Sequence, residues 1–268
     1  MAEYGIVTAV EVDPTGADAI IIPATGGNLT IGSAVIPVHC DGAMPSFSDT
    51  SGIVNISGRI DFIVQGMDLL NLAIAAQGAQ YTTFDVTVGT YKISTCKMTN
   101  LTLNASIDDI FKGSFSFVGL TWGTTTNPTL PTTVPGYQTW IMTTTNLGTF
   151  SAASVDITID NAIKAVHYMG VGGDNDRLPQ YLADGFQSIK FNAKLVNIPT
   201  VPADITANAL SLTIDPTIVF VDNAAGTNTM TITFTNAAAS DLSQDLDPED
   251  LVRYGLTYEC EDIAWAVA

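Results

Sequence analysis

Ile53-Val-Asn-Ile-Ser-Gly-Arg-Ile-Asp-Phe-Ile-Val64 alternates apolar and polar residues along its whole length. A period of two is the signature of a β-strand with one face packed and the other wet. Working outward, the same pattern recurs on both sides. Asn28-Leu-Thr-Ile31 runs into Ala34-Val-Ile-Pro-Val38, and Phe84-Asp-Val-Thr-Val88, Leu101-Thr-Leu103 and Ser114-Phe-Ser-Phe-Val118 follow. Val155-Asp-Ile-Thr-Ile159, Ile189–Val196, Leu210-Ser-Leu-Thr-Ile214, Met230-Thr-Ile-Thr-Phe234 and Tyr254–Glu259 continue it. Alternation this dense predicts half-buried antiparallel strands packed as two sheets per domain. The fold class is all-β: two related antiparallel β-sandwich or barrel-like domains, with one short helix in the first half.

Helix signals are few. Asp68 is placed to cap Leu69–Gln77, with Gly78 as its stop. Weaker helical turns are expected at Pro179–Ala183 and at Pro248–Arg253, the latter capped by Asp247. Thr121–Thr149 breaks the composition, with Thr124-Thr-Thr-Asn-Pro-Thr-Leu-Pro-Thr-Thr-Val-Pro-Gly136 at its centre. Proline-spaced threonine cannot build a central strand, so the segment reads as an extended linker. The expected organisation is a first β domain over 1–120, a Thr/Pro-rich linker over 121–150 and a second β domain over 151–268.

The two halves match. Leu29–His39 aligns with Ile157–His167 at a shift of 128 positions, and five of the eleven pairs are identical. Each copy leads into an irregular loop, Cys40–Thr50 or Tyr168–Asp184, and each loop ends near a glycine, Gly52 or Gly185. Lys112-Gly113-Ser-Phe-Ser-Phe near the end of the first half matches Arg253-Tyr-Gly255-Leu-Thr-Tyr near the end of the second. A duplicated unit points to a pseudo-symmetric subunit of a kind suited to a ring.

Charge narrows the function. The 268 residues hold 27 acids against 9 bases, a formal charge of −18, and only 13% of residues are charged against about 25% in an ordinary domain. Such acidity without a basic patch argues against a protein that grips nucleic-acid phosphates. Hydrophobic content of 46% argues against disorder, and an apolar, charge-poor chain is expected to cover part of its surface in an assembly. Met1–Val10 lacks the basic and apolar regions of a signal peptide, and Leu69–Ala76 is too short to span a bilayer. Cytosolic synthesis is the expectation.

Little in the chain resembles a catalyst. Cys40, Cys96 and Cys260 are odd in number and widely spaced, which fits buried free thiols rather than disulfides or a metal site. His39 and His167 occupy matching repeat positions after apolar strands, so strand-end hydrogen bonding is expected of both. Asp108-Asp109 and Asp245–Asp250 are acidic clusters without EF-hand spacing, and Val171–Arg177 lacks the lysine of a phosphate loop. No nucleophile–base pairing is visible. The chain reads as a building block that is not an enzyme, with no catalytic residue, metal or cofactor.

These elements together resemble the phage tail tube proteins, whose stacked rings form the channel of a long-tailed virion. The resemblance rests on the strand Asn28–His39, the loop Cys40–Thr50, the strand Ser51–Val64, the helix Asp68–Gln77 and the strands Phe84–Leu103 and Gly113–Leu120. The second half repeats it through Val155–His167, Tyr168–Asp184, Phe186–Val196 and Leu210–Ile214. It implies sheets that join side by side in a ring around a lumen, with a long loop reaching the adjacent ring. A duplicated chain would form trimeric pseudo-hexameric rings, where single-domain members form hexamers. Asp41, Met44, Pro45, Phe47, Met169 and Tyr181 become the candidate inter-ring contacts. The other implied partners are a tail terminator, a baseplate and a tape measure, with transient passage of DNA that an acidic wall repels, and no membrane. The location implied is the virion tail, assembled in the host cytoplasm. Two alternatives stay open: another virion β protein (terminator, baseplate or capsid decoration) and a carbohydrate-binding β-sandwich module.

Overall fold

A computed structural model describes residues 8–37, 49–75, 79–106, 109–128, 140–146, 152–167, 178–196, 213–222, 228–245 and 253–268. The first half contains β1 (Thr8–Pro14), β2 (Ile20–Pro37), β3 (Asp49–Ile63), helix α1 (Asp68–Ala73), β4 (Phe84–Val88), β5 (Tyr91–Ser106), β6 (Asp109–Val118) and β7 (Thr121–Thr124). β1, β2, β3, β6, β5 and β4 pair in that circular order, all antiparallel, and close a six-stranded barrel. The alternation of β3 works as expected. Ile56, Ile60 and Phe62 point inward and are buried. Gly58 belongs to the same face, where a Cβ would stand 2.5 Å from the Phe117 ring.

The second half contains β8 (Trp140–Asn146), β9 (Ala152–Asp160), β10 (Lys164–Val166), β11 (Tyr181–Ala183), β12 (Ser188–Val196), β13 (Thr213–Ile214), β14 (Thr217–Asp222), β15 (Thr229–Thr235), β16 (Ala237–Asp245), β17 (Arg253–Cys260) and β18 (Asp262–Val267). β9, β12, β17, β16 and β13 extend the first sheet outward from β5, while β18, β15, β14 and β8 form a four-stranded sheet. One apolar core runs through both halves. Phe111 of β6 stacks on Phe220 of β14 with ring centroids 4.5 Å apart. Phe191 lies against Phe234 and Tyr258, each at 4.5 Å.

Four local expectations change. α1 ends at Ala73 rather than Gln77, and Met67, not Asp68, occupies its N-cap without a side-chain cap bond. The Ala73 carbonyl is instead taken by Asn161 and Gln187 from the second half. The strand expected over Val155–His167 breaks after Asp160, where Ala162 adopts a φ of 47° and the Asp160 carboxylate accepts its amide. Tyr181–Ala183 is extended, not a helical turn, because it pairs with Lys164–Val166. Both ends of the expected 121–150 linker are strands, since β7 pairs with β5 and β8 with β14. The turn proposed at Pro248–Arg253 lies outside the described residues up to position 252, and Arg253 begins β17.

Strand registers recur between the halves. Ile31 faces Ile56 and Ile159 faces Ile189, so β2–β3 and β9–β12 pair alike, with the shift of 128 holding between Ile31 and Ile159. A shift of 141 carries Leu101↔Phe115 of β5–β6 onto Leu242↔Leu256 of β16–β17. The same shift carries Ile93↔Trp122 of β5–β7 onto Phe234↔Ile263 of β15–β18. Irregularities recur with it: the register slips between Met98 and Asn100, and again between Ala239 and Asp241. Thr95 and Asn236, also 141 apart, both have positive φ (55° and 49°). Each donates its amide at 2.9 Å to an aspartate, Asp85 or Asp215. A bulge, a strained residue and its anchoring carboxylate repeat together.

Candidate assembly surfaces

β5 uses one edge twice. Tyr91–Cys96 pairs with β4, and beyond the bulge Asn100–Ser106 pairs with β9. Leu101, Leu103 and Ala105 face Ile159, Ile157 and Val155 across this seam, and all are buried. On the other face Thr102 lies opposite Thr158, and Asn104 donates its side-chain amide to the Asp156 carboxylate. The halves are thus neighbours in one sheet, joined by main-chain pairing and matched cross-strand pairs.

Asn161 locks the end of the seam. It is fully buried. Its amide donates to the Thr99 carbonyl and its Nδ2 to the carbonyls of Ala73 and Met98, all at 2.9 Å, while its Oδ1 accepts from Gln187 Nε2 at 3.0 Å. Every polar atom of the carboxamide is therefore used, as burial demands. Lys97, itself buried, forms an ion pair with Asp184 in the turn before β12. Two tryptophans of the second half also fasten to the first: Trp140 Nε1 donates to the Gln65 carbonyl at 3.1 Å and Trp265 Nε1 to Asn71 Oδ1 at 3.2 Å. The chain pattern gave no warning of Asn161. Its only trace was a mismatch inside the repeat, where Ser33 stands at the corresponding place.

Two sheet edges stand open among the described residues. β2 pairs with β1 only over Ile20–Ala24, so Asn28–Pro37 has β3 on one side and no described strand on the other. β16 pairs with β13 only at Ala237–Ala238, so Ser240–Asp245 has β17 on one side alone. Unpaired edges carry free N–H and C=O groups and are templates for another strand.

Of the candidate loop contacts, Asp41, Met44, Pro45, Phe47 and Met169 lie outside the described residues. Tyr181 is on β11, with 42% of its surface exposed. The structure adds Phe186, which is 95% exposed beside Gly185. Gly185 is required there, because a Cβ would come within 2.4 Å of the Ala162 carbonyl oxygen. Phe186 borders a cleft of about 920 Å³ lined also by Ile74, Tyr81 and Trp265. Burial, then the Asp184 and Asp160 charges, raises the Tyr81 hydroxyl above its ordinary pKa.

The thiols and acids show no reactive grouping among the described residues. Cys96 is buried and Cys260 half-buried, both free. Burial pushes both thiols up, with Asp85 reinforcing the effect on Cys96 and Glu259 that on Cys260, which reaches about 12. Cys40 and His39 lie outside the described residues. His167 follows β10, and its buried Nδ1 has no hydrogen-bond partner among them, in place of the expected strand-end bond. Asp109 is bound to Lys112 at 2.7 Å. Among the described residues no three His, Cys, Asp or Glu side chains gather as a metal-binding group, and no helix is long and apolar enough to cross a membrane. Compared with known families and with curated proteins, the chain matches no family model and no curated sequence.

Proposed function

We propose that the chain is a structural virion protein, a tail tube subunit that polymerises with itself as stacked rings around an acidic-walled channel for DNA. One observation carries this reading: two halves with the same strand registers are already joined edge to edge through β5 and β9. That is the relation neighbouring subunits of a ring would need, repeated inside one chain. Two units per chain favour trimeric rings with pseudo-sixfold symmetry over hexamers. The formal charge of −18 suits a wall that must repel phosphates. Terminator, baseplate and tape measure proteins would be its other partners, and the virion tail its location, after assembly in the host cytoplasm. Neither an enzymatic activity nor a cofactor is part of the proposal.

Negative-stain microscopy of the purified protein tests it. Rings or tubes with a channel about one DNA duplex wide are the expected result, and persistent monomers under every assembly condition would reject it. Replacing Met44–Phe47 by a Gly-Ser stretch should leave the fold intact and abolish long tubes. Normal tubes from that variant would move ring stacking to other surfaces. A second reading, glycan binding, has one observation in its favour. Tyr91 and Trp122 are diagonal neighbours across β5–β7, and each is about half exposed. Retention on immobilised glycans, lost in Trp122→Ala, would support that reading instead.

A further inference from the structure

The recurring registers let the seam inside the chain be used as a template for a seam between chains. Shifting β5 by 141 positions gives β16, and shifting β9 back by 128 gives β2. The images of the two seam edges are Asp241–Asp245 and Asn28–Gly32. Both belong to the edges that have no second strand partner among the described residues. We propose that Asp241–Asp245 pairs antiparallel with Asn28–Gly32 of a second copy of this chain, in the register Asp241↔Gly32, Leu242↔Ile31, Ser243↔Thr30, Gln244↔Leu29 and Asp245↔Asn28.

The residue types fit this register. Leu101 opposite Ile159 becomes Leu242 opposite Ile31, and Thr102 opposite Thr158 becomes Ser243 opposite Thr30. Asn104 opposite Asp156 becomes Asp245 opposite Asn28, the same carboxamide–carboxylate pair with its sides exchanged. Leu103 opposite Ile157 becomes Gln244 opposite Leu29, the one apolar pair that is not kept. A slip of one residue would place Leu242 opposite Thr30 and Ser243 opposite Leu29, turning apolar and polar positions against each other. The occupant is a second copy because the complementary edge belongs to this same chain, where it lies seven strands away along the sheet order. The two edges are different patches, so the contact is heterologous and propagates head to tail. The seam inside the chain and the seam between chains are then alike, which is the condition for a ring of evenly spaced units.

The inference rests on the reading that the chain assembles with itself, and its test separates the two. Thr30 and Ser243 are both exposed in the single chain. The double variant Thr30→Cys/Ser243→Cys, oxidised under assembly conditions, should convert most of the protein to disulfide-linked oligomers, with peptide mapping placing the link between positions 30 and 243. Thr30→Cys/Asp241→Cys, two residues out of register, should show a marked loss of that link. Hydrogen exchange on the unmodified protein gives a second readout: on oligomerisation, protection should appear in 28–32 and 241–245 together. Rings or tubes without the link and without this protection would overturn the inference and leave the tube reading standing. The link in oligomers that never stack into tubes would sustain the inference and reject the tube. Monomers that neither link nor gain protection would overturn both.

Discussion

Thr95 is the position where the repeated architecture makes an unusual demand on a side chain. Its φ is 55°, a conformation that crowds the Cβ of any L-residue and a β-branched one most. The matching Asn236 has a φ of 49°, and asparagine tolerates this region several-fold better than other side chains. A several-fold preference is worth about 1 kcal/mol against a full left-handed penalty of about 1–2 kcal/mol. Thr95 is exposed, so its methyl and hydroxyl contribute little packing. Its anchor also survives substitution, because Asp85 binds the backbone amide. Thr95→Asn should therefore stabilise the protein by about 0.5–1 kcal/mol. Read by urea unfolding, with a slope near the upper end of about 1–3 kcal/mol/M, the midpoint should rise by about 0.2–0.3 M at unchanged slope. Thr95→Gly should gain less, because glycine also loosens the unfolded chain. Asn236→Thr should lose more than Thr95→Asn gains, since Asn236 Nδ2 also bonds the Glu261 carboxylate. A midpoint lowered by Thr95→Asn at constant slope would refute the claim that this residue is strained.

Other expected outcomes follow from packing and charge. Phe191→Ala should cost about 3–5 kcal/mol and Ile60→Ala about 2–5 kcal/mol in the same assay, because both are buried. Tolerance of either would put the inward face in the wrong register. Gly185→Ala should cost about 2 kcal/mol or more, and an unchanged midpoint would show that the Ala162 carbonyl yields easily. Burial alone would raise the Asp85 carboxyl, but Lys92, the Thr95 amide and Ser94 together hold it below its ordinary value of 3.8. The folded state thus binds fewer protons there. The stabilisation is present above the ordinary carboxylate range and is lost as pH falls through the folded-state value. Asp85→Asn should flatten the stability profile in that acidic window, and an unchanged profile would remove Asp85 from the account. Cys96 and Cys260 should resist maleimide in the native protein at pH 8 and label fully in denaturant, with peptide mapping to separate them from Cys40. Rapid native labelling at either would contradict its burial.

Much of the strand content was legible because burial imposes its period on the residues. Phe84–Val88 is β4 to the residue, and the likeness of Lys112–Phe117 to Arg253–Tyr258 is the same shift of 141 that the pairings display. Partners distant in the chain hid the rest. Thr121–Thr124 and Trp140–Asn146 show no alternation, and only their pairing with β5 and β14 makes them strands. Tyr181–Ala183 is extended through β10, and α1 is cut short where its last carbonyl is claimed by Asn161 and Gln187. The seam was invisible for the same reason. Nothing local in Asn100–Ser106 says that its edge will be filled by Ser154–Asp160.

Because β9 is tethered to β5 by the chain itself, their meeting is loop closure rather than an encounter in solution. A flexible tether holds such a strand at an effective concentration of about millimolar, whatever the amount of protein present. Dilution therefore cannot open this contact short of unfolding, whereas any contact between chains weakens as protein becomes scarce. In whatever assembly the chain enters, the joints divide into two kinds: those inherited at synthesis and those governed by supply. A cell making too little of the protein would accumulate two-unit pieces and never single units, which more than halves the number of associations needed to complete a ring of the kind proposed.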